Sequence, residues 1–503
     1  MTEPSRDRPI PLYYQLKTLL LEEIIGGAYG TEGRLPTEHE LCVRLGVSRT
    51  PVTRALSELA AEGVVLRRRR HGTFVNPHWL ARRTDTPELR VLVPMDGPWA
   101  DHLRSLARPD MRLSLVAVDL NELHSVFVHA VAEARGPDLT VLDSVWVAEF
   151  AASGFLYPLE DLDPDWVGGE YGRDFLQPFV DAHRPAGSTV AVQAEMDVGG
   201  LWYNRADLKN VGAEPPETWE DLREAGRRLV AAGIRRHALV IPAGPEADEY
   251  ATYGLVTLLA SNGVRVLSPG AVTLASPASV EAMNLLRSLA DDGILPESVV
   301  SYPRDRTIQM LANGEASLSF GGSYEAPWLA RGAGLPEDDI TERFGFVPMP
   351  AGPRGHPSVL VGGMVYGIPR QAHRPRLAME LLKEAVTAGA LARMCARTGH
   401  IPPRRSAVEM LAPHSAFHAH TAGLLDGAVV RPVTPVYTLV SAQIRSMLDA
   451  VLTRRLTPRA AVWRAADMIS AITGLPVEHA SGARSPLFSV GPGHFVTQRI
   501  LLP

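Results

Sequence analysis

The apolar positions fall into two regimes along the chain. Between Leu12 and Ile25, Leu12, Leu16, Leu19, Leu20 and Ile24 recur at helical spacing, and Gly26-Gly27 closes the segment. Thr37 is placed to cap a second helix, whose first turn carries Glu38 and Glu40, both favourable beside helix N-terminal N–H groups. Leu41 and Leu45 give that helix an inward face, and Gly46 stops it. Ser48 is positioned to cap a third helix running to about Glu62, with Val52, Leu56 and Leu59 inward and Gly63 behind it. Val64–Leu66 and Thr73–Val75 read as short strands around a tip at Arg67–Gly72. Helices joined by a tight turn, then a cationic hairpin, are the parts with which a small domain offers one helix to a major groove and the hairpin to the adjoining minor groove.

The second regime begins after a polar, proline-flanked linker at 77–88. Short apolar runs (RVLVPM, LSLVAV, LTVLDS, HALVIP, ASLSF) alternate with helically periodic stretches such as SVFVHAVAEA, TWEDLREAGRRLVAAG and LAMELLKEAVTAGALARM. Strand–helix alternation of this kind predicts α/β architecture with parallel sheets, and some four hundred residues suffice for two lobes. A chain of 503 residues is in any case too long for one core.

Charge separates the same two regimes. Residues 1–83 carry 13 Lys+Arg against 9 Asp+Glu, net +4, while the whole chain is −6, which leaves −10 for the remainder. A basic head on an acidic body fits a nucleic-acid module attached to something that does not touch phosphate. Cys42 and Cys395 are the only cysteines, so no disulfide framework is expected, in keeping with a reducing compartment. Cys42 reads as a small apolar packing residue, and Tyr13 and Tyr14 as packing residues rather than base-stacking ones.

The phrases RLPTEHE, LGVSRTPVTRAL, AEGVVLRRRR and HGTFV together resemble the winged helix-turn-helix of the GntR family of bacterial transcription regulators, over roughly residues 10–76. The resemblance implies that Arg34 and Thr37 contact the phosphate backbone. It puts Ser48, Arg49, Thr50 and Arg54 on the recognition-helix face, with Arg49 placed for a bidentate contact to guanine, and His71 and Gly72 at the wing tip. Thr53 stands where the family usually has Arg after the recognition-helix valine, and Arg70 where the wing usually has Gly. Both stay in the DNA-facing set, the second making the wing more cationic and less supple. The Arg67–Arg70 run is assigned to phosphate or minor-groove contact, with a solvated charge run as the alternative reading.

Five further phrases occur in order: PDLTVLDSVWVAEFAASGFLYPLEDL, VGGLWYNRADLKNVGAEPPETWEDLREAGRRL, MLANGEASLSFGGSYEAPWL, FGFVPMPAGPRGHPSVLVGGMVYGIP and RTGHIPPRRSA. Together they resemble the family 1 extracellular solute-binding proteins, the sugar-binding components of import systems. The implied fold is multidomain: an N-terminal winged helix-turn-helix (α+β) at 1–76, then at 89–474 a two-lobed α/β periplasmic-binding-protein-like domain of type II that closes on ligand by hinge bending. Residues 475–503 have no assigned role. Sugar sites need flat aromatics for CH faces and carboxylates, amides or Arg for hydroxyls. The candidates at strand ends are Asp96, Trp99, Asp143, Trp146, Asp197, Trp202, Gly322, Ser323, Tyr324, Gly363 and Arg404. Trp219 reads as core, and one of Trp202 and Tyr203 is expected to be buried. Asp143 can instead cap a helix, and Arg404 can instead pair with a surface carboxylate. His414, His418 and His420 cluster at helical spacing without an acidic or cysteine partner nearby, so no metal is expected.

No cofactor is expected either. A pyridoxal-phosphate body of the kind some GntR-related proteins carry needs a Schiff-base lysine. Lys17, Lys209 and Lys383 are the only lysines, and the two in the body lie in helical or pre-helical contexts. G-x-S-x-G, H-E-x-x-H and Walker A segments are absent, so no enzymatic activity is expected. The N-terminal segment lacks the apolar core of a secretion signal and no run of 18 apolar residues occurs, which predicts a cytoplasmic protein without membrane contact. The expectation is a ligand-responsive regulator, a repressor, that binds an operator in duplex DNA as a homodimer and takes a carbohydrate effector. The rivals are an import receptor and a regulator of the same class with a non-sugar ligand.

Overall fold

The computed structural model describes residues 12–478 apart from 26–27, 30–32, 69–70, 78, 80–86, 95–97, 245–246, 304, 337–338 and 426–427. They form two compact units. The first runs through Glu195 and adds 363–397 and 402–407; the second holds 196–362, 398–401 and the chain from Val408 on.

The first unit opens with α1 (Leu12–Ile25), α2 (Glu38–Leu45), α3 (Arg49–Ala61), β1 (Val65–Arg68) and β2 (Gly72–Val75). Leu16, Leu20 and Ile24 of α1 pack with Leu41, Val52, Leu56 and Leu59, and Leu35, Val64 and Val65 complete this core. Apolar burial of this kind, at about 25 cal/mol per Å², is what orders so small a head. Thr37 and Glu40 form a reciprocal capping box: the Glu40 N–H donates to Thr37 Oγ1 at 3.3 Å and the Thr37 N–H to Glu40 Oε2 at 2.7 Å. Gly46 ends α2 in the left-handed region, at φ 64°. Ser48 occupies the N-cap position of α3 but its side chain makes no capping bond, contrary to expectation. β1 and β2 pair antiparallel from Val65↔Val75 to Arg68↔Gly72. Arg34 bridges Phe74, and the Leu35 N–H donates to the Thr73 carbonyl at 2.9 Å, so the wing gains a third member that the sequence pattern does not announce.

Following the chain, β3 (Glu88–Pro94), α4 (Pro98–Ser105), β4 (Arg112–Val118), α5 (Leu120–Ala132), β5 (Leu139–Asp143) and β6 (Ala191–Gln193) belong to the first unit. The second contributes β7 (Asp197–Asn204), β8 (His237–Val240), the small hairpin β9 (Leu267–Ser268) and β10 (Ala271–Val272), β11 (Ala316–Gly322), β12 (Phe344–Val347) and β13 (Leu360–Gly362). β14 (Met364–Gly367) is back in the first unit, and β15 (Val429–Val430) in the second.

The first sheet has the order β4-β3-β5-β14-β6, the second β15-β13-β7-β11-β8 with β12 also on β7. Both are mixed, which corrects the expectation of parallel sheets. β3, β4 and β5 are parallel, with α4 and α5 as their crossovers. β14 arrives directly from β13 without a crossover and lies antiparallel to β5 and β6, while β7 is antiparallel to β11, β12 and β13. Pairing also continues past the boundary expected at 474. The Val272 N–H donates to the Pro476 carbonyl and the Glu478 N–H to the Val272 carbonyl, each at 2.9 Å. The rest of the expected tail lies outside the described residues.

Candidate functional site

The exposed face of the head is built by α3 and the wing. Ser48, Arg49 and Thr50 stand exposed at the start of α3, and the Arg49 side chain is 81% accessible. Thr53, one turn on, donates its hydroxyl to Glu38 at 3.1 Å. Arg54 is exposed, yet its guanidinium lies over the Tyr13 ring and its Nε is 3.3 Å from Glu58. Thr37 is exposed, with its hydroxyl engaged in the capping box. Arg34 is exposed beside the wing, and Gly72 has φ +108°, where a Cβ would come 3.5 Å from Arg34 Nε. His71 is exposed at the tip, Arg68 lies 5.2 Å over the Phe74 ring, and Arg70 lies outside the described residues. Cys42 is half-buried against the core. Lys17 is buried and bonded to Glu62 at 2.5 Å and Glu58 at 3.3 Å, which ties α1 to the end of α3.

The body candidates of the first unit divide. Asp96 lies outside the described residues. Trp99 is corrected: it sits in α4 rather than a loop, edge-on to Tyr366 at 5.8 Å and 9% exposed, so its ring is a packing surface. Arg404 is also corrected. Its side chain is 8% exposed, with the guanidinium bonded to Asp174 at 2.7 Å, Glu170 at 2.8 Å and the Val386 carbonyl at 2.8 Å. That network holds the segment after Pro402 in place. Asp143 ends β5 and accepts the Val145 N–H at 3.2 Å, capping a 3-10 turn that carries Trp146. Trp146 is half-buried, its ring 5.1 Å from His124, which in turn bonds Glu149 at 3.0 Å. Gly363 has φ +126°, and a Cβ there would lie 2.2 Å from the Glu195 carbonyl oxygen.

In the second unit Trp202 and Ser323 are corrected. Trp202 is fully buried in β7, stacked on Phe417 at 5.6 Å, with its indole N–H donating to the Gly322 carbonyl at 3.1 Å. Phe346 of β12 meets the same ring edge-on at 4.8 Å. Ser323 is fully buried, its hydroxyl accepting the Val198 N–H at 3.1 Å. Gly322 is small for Tyr324: a Cβ would meet that ring at 2.2 Å.

Asp197 and Tyr324 instead belong to one polar-aromatic wall. Tyr324 is half-buried, with Tyr250 at 5.5 Å, Tyr253 and Trp328 at 6.4 Å, and His400 stacked at 6.2 Å. The Tyr253 hydroxyl donates to Asp197, and the Arg431 guanidinium sits 5.5 Å over the Tyr253 ring. Arg431 and Asp197 meet at the bare backbone of Gly362, where a Cβ would be 2.8 and 3.1 Å from them. Arg431 is held from behind by Glu249 at 3.0 Å. Trp328 is 39% exposed. Burial raises the Glu325 carboxyl to about 8, against the Gly322 N–H and Trp202, with Asp197 adding to the rise. Tyr250, Tyr253, Trp328, His400 and Arg431 were not expected. Tyr250, Tyr253 and Trp328 come from helices, His400 from the loop after the helix Ala388–Thr398, and Arg431 from just behind the two-residue β15, too short a strand to read from the sequence.

His414 lies in a 3-10 turn ahead of the helix Ala416–Ala422, so it does not share a helix face with His418. His418 bonds Ser415 at 2.7 Å and His420 the Phe346 carbonyl at 2.6 Å. Among the described residues no group of three or more His, Cys, Asp or Glu could hold a metal ion, and no helix is long and apolar enough to cross a membrane.

These features define a winged-helix DNA-reading head joined to a solute-binding body. Residues 12–75 match the family of bacterial regulatory proteins, gntR family, and residues 107–392 match the family of bacterial extracellular solute-binding proteins. The chain belongs to the solute-binding family over more than half its length and carries a GntR-family helix-turn-helix ahead of it. A putative binding protein of Brucella abortus is 24% identical over 286 residues, 55% of this chain and 66% of that protein, so the chain spans just under two thirds of that relative's length. The histidine utilization repressor of Pseudomonas aeruginosa is 39% identical over 85 residues, 15% of this chain and 34% of its own. Among solved structures, maltose-bound MalE3 of T. maritima matches with a TM-score of 0.68 at 26% identity, over 77% of this chain and 100% of that one. The body has the two-lobed, mixed-sheet fold of maltose-binding proteins.

Proposed function

We propose that the chain is a one-component transcription regulator, a repressor, whose body binds a sugar or oligosaccharide and thereby sets the DNA affinity of the head. The observation that carries this reading is the wall around Tyr324, where the rings of Tyr250, Tyr253 and Trp328 stand beside Asp197 and Arg431. The part-open rings of Tyr250, Tyr324 and Trp328 suit the CH faces of a sugar, while Asp197 and Arg431, only 9% and 7% exposed, hold the buried Tyr253 ring behind them. The maltose in the solved relative supports a carbohydrate effector, and the repressor among the relatives of the head supports that sign of control. Asp143, Trp146 and Gly363 remain candidates for ligand contact in the first unit.

The head acts in pairs on half-sites about one helical turn apart, which makes a homodimer the working form and places it with the chromosome. A sugar that binds two conformations unequally shifts the DNA-competent population, and one that binds both equally shifts nothing. An import receptor, the rival reading, leaves the exposed recognition helix without a task.

The test is a thermal-shift screen of mono- and oligosaccharides against amino acids and polyamines, followed by duplex titration with and without each hit. A saccharide that raises the melting temperature and changes duplex affinity is the expected result. Stabilisation by another ligand class alone removes the sugar, and stabilisation without any change in duplex affinity removes the regulatory link.

A further inference from the structure

Glu38 opens α2, and its carboxylate gathers donors from two other elements. Arg49 Nε lies 3.0 Å and Thr53 Oγ1 3.1 Å from Oε2, both from α3, while Arg67 of β1 reaches Oε1 at 2.5 Å. Arg67 also donates to Ser57 Oγ at 3.2 Å, one turn along α3 from Thr53. One acid therefore joins the second helix, the recognition helix and the wing. Partial burial works against its ionisation, but the bonds from Arg49 and Thr53 and the charge of Arg67 bring its carboxyl below the ordinary range.

An anion on a surface that meets a polyanion weakens binding to every sequence alike. The arginine partners of Glu38 are exposed, Arg49 at 81% and Arg67 at 40%, and ion pairs to such solvated side chains contribute little to the stability of a fold. What the cluster does supply is geometry. Arg49 is held by Nε, and its 81% accessible side chain leaves the two terminal nitrogens for a guanine edge, whose O6 and N7 need both at once. Arg67 fixes β1 against the same carboxylate, and with it the spacing between wing and recognition helix.

We propose that Glu38 is the positioning residue of this surface, giving up general affinity for DNA to orient Arg49 and the wing for sequence discrimination. The proposal rests on the reading of the head as a duplex-binding module. Its test uses the full chain, a duplex selected from a random library and a scrambled duplex of equal length. Glu38→Gln and Glu38→Ala are expected to bind the scrambled duplex several-fold more tightly at low salt and the selected duplex more weakly, with the ratio falling about tenfold or more. A rise of the same factor on both duplexes overturns the proposal, because Glu38 is then only an opposing charge.

Thr53→Val keeps every charge and removes one donor. It is expected to lower the ratio with the salt dependence unchanged, and an unaltered ratio counts against the proposal even if both Glu38 variants unfold. Wild-type protein that selects no duplex at all sinks the reading of the head and this proposal with it, whereas an equal rise sinks this proposal alone.

Discussion

The guanidinium of Arg54, on the recognition helix, lies 3.7 Å from the centre of the Tyr13 ring on α1. With Glu58 four residues on, Tyr13 claims Arg54 for the packing of α1 against α3. Arg54 and Arg49 share a helix, a charge and an exposed position, but Arg49 is 81% accessible against 54% for Arg54, whose guanidinium is already engaged by Tyr13 and Glu58.

The two arginines are therefore expected to separate in titrations of selected and scrambled duplexes. Arg49→Ala should lower affinity for the selected duplex about tenfold or more beyond its effect on the scrambled one. Arg54→Ala should weaken both by a similar factor, and by removing the Tyr13 contact it should cost the head about 0.5–1 kcal/mol in thermal melts. A selective loss from Arg54→Ala would return that residue to the reading face.

Trp202 and Trp328 make a second contrast. Trp202 has its indole N–H satisfied and no exposed surface, so Trp202→Ala should cost about 3–5 kcal/mol in urea unfolding. Trp328, part exposed at the rim of the Tyr324 cluster, should change stability little when replaced by Ala. It should instead weaken saccharide binding about fivefold, the loss of roughly 1 kcal/mol of ring contact. Calorimetric titration of the folded variants checks both, and normal sugar affinity in Trp328→Ala would take that ring out of the site.

The head was legible because its information is local. Capping residues, glycine stops and a 3.6-residue period fix three helices within fifty residues; the Arg34–Phe74 bridge, the idle Ser48 hydroxyl, the pairing of Arg67, Arg68 and Gly72 within the strands rather than the tip, and the Arg54–Tyr13 contact escaped. The body was legible as strand and helix alternation but not as sheet direction, since β14 and β7 join their sheets through chain crossings that leave no period in the sequence. Site residues were hardest. A tryptophan at a strand end looks the same whether its neighbours cover it, as around Trp99, or leave it half open, as around Trp146. Arg431 and Asp197 lie more than two hundred residues apart, and only folding brings both to Gly362.

Gly363 is where the chain re-enters the first unit from β13. Its φ of +126° is closed to residues with a Cβ, and that atom would sit 2.2 Å from the Glu195 carbonyl oxygen and 2.9 Å from Gln193 Nε2. Gly363→Ala should therefore cost at least about 1–3 kcal/mol from the backbone conformation, with the clash in addition. A lowered urea midpoint with an unchanged slope is the expected result. An unaltered midpoint would mean that this crossing can relax without its glycine.

Glu325 gives the body a pH dependence of definite sign. In the folded chain burial keeps its carboxyl protonated up to about 8, while in the unfolded chain it ionises near the ordinary glutamate value of 4.5. Below 4.5 both states hold the proton and the group is neutral towards stability. Between 4.5 and 8 the unfolded state loses its proton and the folded state keeps it, so stability falls as pH rises, by up to about 1.4 kcal/mol per unit. Glu325→Gln has no proton to lose and can still accept the Gly322 N–H, 3.0 Å from Oε2 in the wild type. Its urea midpoint should therefore decline less steeply than wild type from pH 5.5 to 8, with the two curves closest at the acid end. Parallel curves would mean that Glu325 is already ionised in the folded protein at neutral pH, with its charge met by groups other than the Gly322 N–H.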